Sequence, residues 1–110
     1  MNIETQELDS AVILAVAGRM DAENAPQFEQ ACDIWIKSGY KRLIADLTGL
    51  EYVSSMGLRS FLSVAQRLQS SSGLLILCGL KGLPRQVFEM TRLLDLFTVF
   101  DSVEQARASF

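Results

Sequence analysis

Apolar residues in this chain fall into short runs separated by glycine and polar breaks, and the runs alternate between strand-like and helix-like spacing. Ile3 to Leu8 alternates weakly, and Asp9-Ser10 reads as a turn. Ala11 to Ala17 is wholly apolar and stops at Gly18, which predicts a second strand paired with the first as a hairpin. Gly18 to Glu23 reads as a loop. Asn24 followed by Gln27 has capping-box spacing, and Pro26 suits a first helical turn. Phe28, Ala31, Cys32 and Trp35 then share one face of a helix that ends at Gly39.

The alternation continues. Arg42 to Leu47 predicts a buried strand, Thr48 to Glu51 a loop, and Tyr52-Val53 an extended lead into a second helix. That helix has the clearest period in the chain, with Leu58, Phe61, Leu62, Ala65 and Leu68 in one stripe, and Ser70 to Gly73 ends it. Leu74 to Cys78 reads as a central strand closed by Gly79. Pro84 opens a short helix containing Val87 and Met90, and Phe97 to Phe100 reads as a last strand. Ser102 and Gln105 form a second capping box, before a helix with Val103, Ala106 and Phe110 on one face. The expected order is β-β-α-β-α-β-α-β-α. Such alternation predicts an α/β fold: one domain over residues 1–110, a mixed and mostly parallel sheet with an N-terminal antiparallel hairpin, and about four flanking helices.

Composition narrows the function. Hydrophobic residues make up 49% of the 110 and charged residues 21%, enough apolar surface for a core without disulfide or metal support. The net charge of −3 comes with scattered lysines and arginines, whereas a phosphate-backbone binder needs a concentrated positive face, so nucleic acid is not an expected partner. The N-terminus lacks a cationic start and an apolar stretch, and Ala11 to Ala17 is too short to span a bilayer, so a cytoplasmic protein without membrane insertion is expected. Cys32 and Cys78 read as small buried hydrophobes. The chain has no histidine, which removes the usual general base, the commonest metal ligand and any Ser-His-Asp triad. No catalytic activity, metal or cofactor is expected. The one Ser-x-x-Lys match, Ser38 to Lys41, falls at a helix end rather than a start, and Gly79-Leu80-Lys81-Gly82 lacks the spacing of a phosphate loop.

The informative stretch is Leu43 to Leu62. A buried strand ends at Asp46-Leu47, and a short loop brings Ser54 and Ser55 to a helix start. Ser54 suits the N-cap, its oxygen accepting from the N–H of Met56 or Gly57, which leaves Ser55 in the first turn with a free hydroxyl. Gly57 has no side chain and is expected to leave room for a partner backbone or a phosphate, so a bulky residue there should impair docking and spare the fold. A helix N-terminus stabilises an anion, and a phosphate on Ser55 would bring one. On the serine pair alone, plain capping is the simpler reading.

Asp46-Leu47-Thr48 and Ser54-Ser55-Met56-Gly57-Leu58-Arg59 together resemble the signature of STAS domains, specifically the bacterial anti-sigma factor antagonists. Gly18-Arg19-Met20-Asp21 is similar to that family's loop before its first helix, and Phe97 to Ala106 to its closing strand and helix, so the resemblance runs nearly the length of the chain. It implies a non-catalytic partner-switching regulator in transcription control. The unphosphorylated domain would bind an anti-sigma factor that is also a serine kinase of the GHKL type. Phosphorylation of Ser55 would release it, and a metal-dependent serine phosphatase would reset the cycle. Carried over by position, Asp21, Ser54, Met56, Gly57, Leu58 and Arg59 would border the partner surface. Ser54 stands where the family often has Asp, and Met56 where it often has Ser or Ala. The same resemblance allows two other roles: a subunit that binds the ATPase of a lipid-transporting ABC system, and a scaffold in a larger signalling complex.

Overall fold

The computed structural model describes residues 1–109. Strand β1 (Asn2–Glu7) runs antiparallel to β2 (Val12–Met20), with Asn2 opposite Ala17 and Glu7 opposite Val12. The turn between them closes on a hydrogen bond from Leu8 N–H to Ala11 O at 2.8 Å. Helix α1 (Ala25–Lys37) crosses to β3 (Arg42–Asp46), which lies parallel to β2. After β4 (Leu50–Val53) and helix α2 (Ser55–Ser70), strand β5 (Leu74–Cys78) pairs parallel with β3. Helix α3 (Gly82–Met90) and a 3-10 turn (Leu93–Leu96) lead to β6 (Thr98–Phe100), parallel to β5, and helix α4 (Val103–Ala108) follows. The sheet order is β1-β2-β3-β5-β6, with β4 paired to the far end of β2. This is the expected mixed sheet with an antiparallel N-terminal hairpin and four flanking helices.

Side chains alternate between the two faces of a strand, so the apolar runs of β2, β3 and β5 feed two cores at once. On the larger side Val12, Leu14, Val16, Leu43, Ala45, Leu75 and Leu77 meet Phe28 and Cys32 of α1, Phe61, Val64 and Leu68 of α2, and Phe88 of α3. A chain of ring contacts runs through it, from Phe28 to Phe61 (4.8 Å between centroids), to Phe88 (5.6 Å) and to Phe97 (6.0 Å). The interleaved residues Ile13, Ile44, Ile76 and Cys78 face the other way and pack under Ala106 of α4. Arg67 of α2 ties the two large helices together through Glu29 (2.8 Å) and Asp33 (2.9 Å).

Four sequence expectations are corrected. Gly18 to Met20 is strand, not loop: β2 continues past a register shift between Gly18 and Arg19 and pairs with β4. Residues 50–53, expected as loop and lead-in, are that β4 strand, which Leu50 and Val53 fix by burial. The capping box at Asn24 does not form. Asn24 has helical angles, and its side chain accepts from Asp21 N–H at 2.9 Å instead. Helix α3 begins at Gly82, two residues before Pro84, and Met90 lies exposed at its end. The box at Ser102 does form in its main half, with Ser102 Oγ accepting from Gln105 N–H at 3.2 Å. Phe110, expected on the last helix face, lies outside the described residues.

Candidate functional site

Strands β2 and β4 end side by side, with Met20 opposite Val53, and both chain paths turn there into a helix start. Ser54 is held at this corner twice. Its N–H donates to Met20 O at 2.8 Å, and its Oγ accepts from Gly57 N–H at 3.2 Å, the N-cap bond that a serine with extended angles makes. Ser54 O also accepts from Leu58 N–H at 2.9 Å, which starts the helical ladder. Ser55 follows as the first residue of α2, exposed, with no side-chain hydrogen bond among the described residues. The first turn of α2 contains no acidic residue, so nothing in it offsets the positive helix end.

Asp21 organises the neighbouring corner. Its Oδ1 accepts from Glu23 N–H (3.1 Å) and Asn24 N–H (3.2 Å), and its carbonyl accepts from Ala25 N–H at 2.9 Å. The Asp21 side chain therefore takes the two amides just ahead of α1, and the first N–H groups of the helix go to the carbonyls of Asp21 and Asn24. Because Met20 carries the Ser54 bond, Asp21 is one residue from the α2 cap.

Gly57 and Leu58 do not lie on the surface. Leu58 is a core residue, and Gly57 is buried against the end of the sheet. A Cβ at position 57 would stand 2.8 Å from Val53 Cγ2 and 3.0 Å from both Met20 Cγ and Met20 O. Glycine is required there to seat α2 on β2 and β4, so the expectation that Gly57 leaves room for a partner, and that a bulky residue spares the fold, is corrected. Ser55, Met56 (44% exposed) and Arg59 form the outward face. Beside them a groove of about 220 Å³ runs between the two helix starts, lined by Ala25, Pro26 and Glu29 from α1 and by Met56, Arg59 and Ser63 from α2. The α1 members carried no sequence signal, because only the packing of α1 on α2 brings them beside Met56.

The remaining polar candidates are engaged elsewhere. Ser38 Oγ donates to Ile34 O (2.8 Å) and Lys41 Nζ to Ser71 O (2.7 Å), so they do not form a dyad. Asp46 Oδ1 accepts from the N–H and hydroxyl of Thr48 at 3.2 and 2.7 Å. Gly79 to Gly82 is a strand-to-helix turn, and a Cβ on Gly79 would collide with Thr48 Oγ1. Cys32 and Cys78 are free and buried. Burial, helped by the charges of Asp46 and Glu104, pushes the Cys78 thiol up to about 12, and burial raises Cys32 further. Among the described residues, no helix is long and apolar enough to cross a membrane.

A family model described as STAS domain matches residues 2–106. The chain is 37% identical over 110 residues to BtrV of Bordetella bronchiseptica, which carries the name of an anti-sigma factor antagonist, covering 100% of this chain and 95% of that protein. It is 34% identical over 101 residues to the anti-sigma-B factor antagonist of Listeria monocytogenes, covering 90% of this chain and 88% of that one. The Bacillus cell fate determinant SpoIIAA, solved in its phosphorylated form, superposes with a TM-score of 0.76 at 19% identity, over 98% of this chain and 97% of that structure. At that identity the likeness is one of fold.

Proposed function

Given that the chain belongs to the STAS domain family, we propose that it is a non-catalytic anti-sigma factor antagonist whose binding is switched by phosphorylation of Ser55. The names of its relatives support the antagonist role. The observation that carries the switch is the division of labour at the start of α2: Ser54 is engaged as the cap, while Ser55 stands exposed with its hydroxyl unbonded among the described residues.

Unphosphorylated, the face of Ser55, Met56 and Arg59 and the adjoining groove between α1 and α2 dock an anti-sigma factor of the GHKL serine kinase type, with Asp21 and Ser54 at the border. A phosphate on Ser55 brings roughly −1.5 to −2 charges at neutral pH. The helix end carries that charge because its first turn holds no acid of its own, so the fold survives. The partner surface that fitted a small neutral hydroxyl instead meets a hydrated dianion, and the complex separates. A metal-dependent serine phosphatase restores the binding form.

The test is incubation with the cognate kinase and ATP, followed by mass-spectrometric site mapping. A single phosphate on Ser55 is expected, and modification of Ser54 instead overturns the assignment. In a pulldown, Ser55→Ala keeps the anti-sigma partner and Ser55→Asp weakens it. Equal retention of both refutes an electrostatic switch.

A further inference from the structure

Arg59 is the one basic residue in the first two turns of α2, it is exposed, and it makes no ion pair among the described residues. It stands four positions after Ser55 on the same helix, so the two side chains are neighbours on one face. Helical side chains lean toward the N-terminus, which carries a long residue at position 59 back over the turn that holds Ser55. An anion placed N-terminal to a cation at this spacing is the favourable order on a helix. The guanidinium donates two parallel hydrogen bonds to phosphate oxygens, a geometry that an ammonium group does not reproduce.

We propose that Arg59 is a positioning residue for the switch: it captures the phosphate on Ser55 within the same helix and so leaves the docking groove when the protein is phosphorylated. The inference rests on the Ser55 reading and deepens it. In the unphosphorylated protein Arg59 lines the groove opposite Glu29, whose carboxylate is already held by Arg67 at 2.8 Å. That leaves Arg59 as a free cation for an acidic group on the partner. Phosphorylation then changes the docking face twice, by adding a dianion and by neutralising the one cation at its centre. Asp21 is the nearby acid in the neighbouring corner, and its carboxylate is turned onto the Glu23 and Asn24 amides.

The experiment places phosphoserine at position 55 by genetic code expansion, so it runs whether or not a kinase uses Ser55. Phosphorus NMR then follows the second ionisation of the phosphate in the wild type, Arg59→Lys and Arg59→Gln. An exposed pair at this spacing lowers that pKa by about 0.3 unit in the wild type relative to Arg59→Gln, with Arg59→Lys between, and 1 M salt shrinks the difference. The Arg59 Nε–Hε resonance shifts between the serine and phosphoserine proteins at neutral pH, and moves part of the way back when the dianion takes up a proton to become the monoanion. Equal pKa values overturn the capture. So does a lowered pKa with an unmoved resonance, which a cation acting through space would produce. Failure of the kinase mapping with success here sinks the regulatory reading and leaves the capture standing.

Discussion

Gly57→Ala tests how α2 is seated. On an isolated helix the change is favourable by about 1 kcal/mol, because alanine restricts the unfolded chain and glycine does not. Here the new methyl would lie 2.8 Å from Val53 Cγ2 and 3.0 Å from Met20 O and Met20 Cγ. Met20 Cγ belongs to a flexible side chain and can move. Val53 is β-branched, stiff and only 3% exposed, and Met20 O is fixed by the Ser54 N–H that it accepts. Retreat of the helix therefore lengthens the bond that anchors its own cap. Overpacking of this kind costs about 1–3 kcal/mol, and two unyielding neighbours put it near the top of that range. After the propensity gain, a net loss of about 2 kcal/mol remains. For a chain of this size that lowers Tm by about 8 °C. The urea midpoint, followed by circular dichroism, falls by about 1 M. Gln66→Ala, on an exposed turn of the same helix, serves as the control and is expected to leave stability level or slightly raised. A Gly57→Ala protein as stable as the wild type would show that helix propensity governs this position and that the close seating is not a constraint.

Three other outcomes are expected. Ser54→Ala removes the cap bond to Gly57 N–H and costs about 1 kcal/mol in urea unfolding, whereas Ser55→Ala stays within about 0.5 kcal/mol, and a reversed order would exchange the roles of the two serines. Arg67→Ala breaks the tie to Glu29 and Asp33; all three groups are partly exposed, so the loss is about 1 kcal/mol or less, and it shrinks when unfolding is repeated in 1 M salt. The buried thiols make the fold sensitive to alkali: their pKa values are raised in the folded state, so the stabilisation is complete below the unfolded thiol value near 9 and is lost as pH rises through about 12 for Cys78. Unfolding midpoints measured from pH 7 to pH 11 should hold level and then fall, and Cys78→Ala should flatten part of that fall. Both thiols should also react with a disulfide reagent at pH 8 only at the rate of opening.

The long elements were legible because each carries its own periodic signal. Ala11 to Ala17 and Leu74 to Cys78 are apolar at every position, as strands covered on both faces must be, and the stripe of α2 repeats at helical spacing. The Ser54 cap was legible too, since a serine hydroxyl before a helix has one natural set of donors. The misreadings cluster at one end of the sheet. Strand β4 spans only Leu50–Val53, too short for an alternation to declare itself, and it exists because the tail of β2 offers a parallel partner. Asn24 matched a capping box in letters, but the Gln27 N–H that its side chain would have bonded goes to the Asn24 carbonyl, while Asp21 takes the Glu23 and Asn24 amides just ahead of the helix.

By itself, then, the sequence determined the class of fold, the sidedness of its central strands and the serine that caps α2, because these depend on local periods and local hydrogen bonds. Only the tertiary structure decided which residues of the motif face outward. Gly57 and Leu58 sit in the same six-residue stretch as Ser55, Met56 and Arg59, yet helical rotation turns the first two onto Met20, Val53 and the core and the others toward solvent. The groove between the two helix starts belongs to neither helix alone. It appears when Phe28 of α1 packs on Phe61 of α2 and brings Pro26 and Glu29 beside Met56 and Arg59, and a contact between residues so far apart in the chain has no local signature to read.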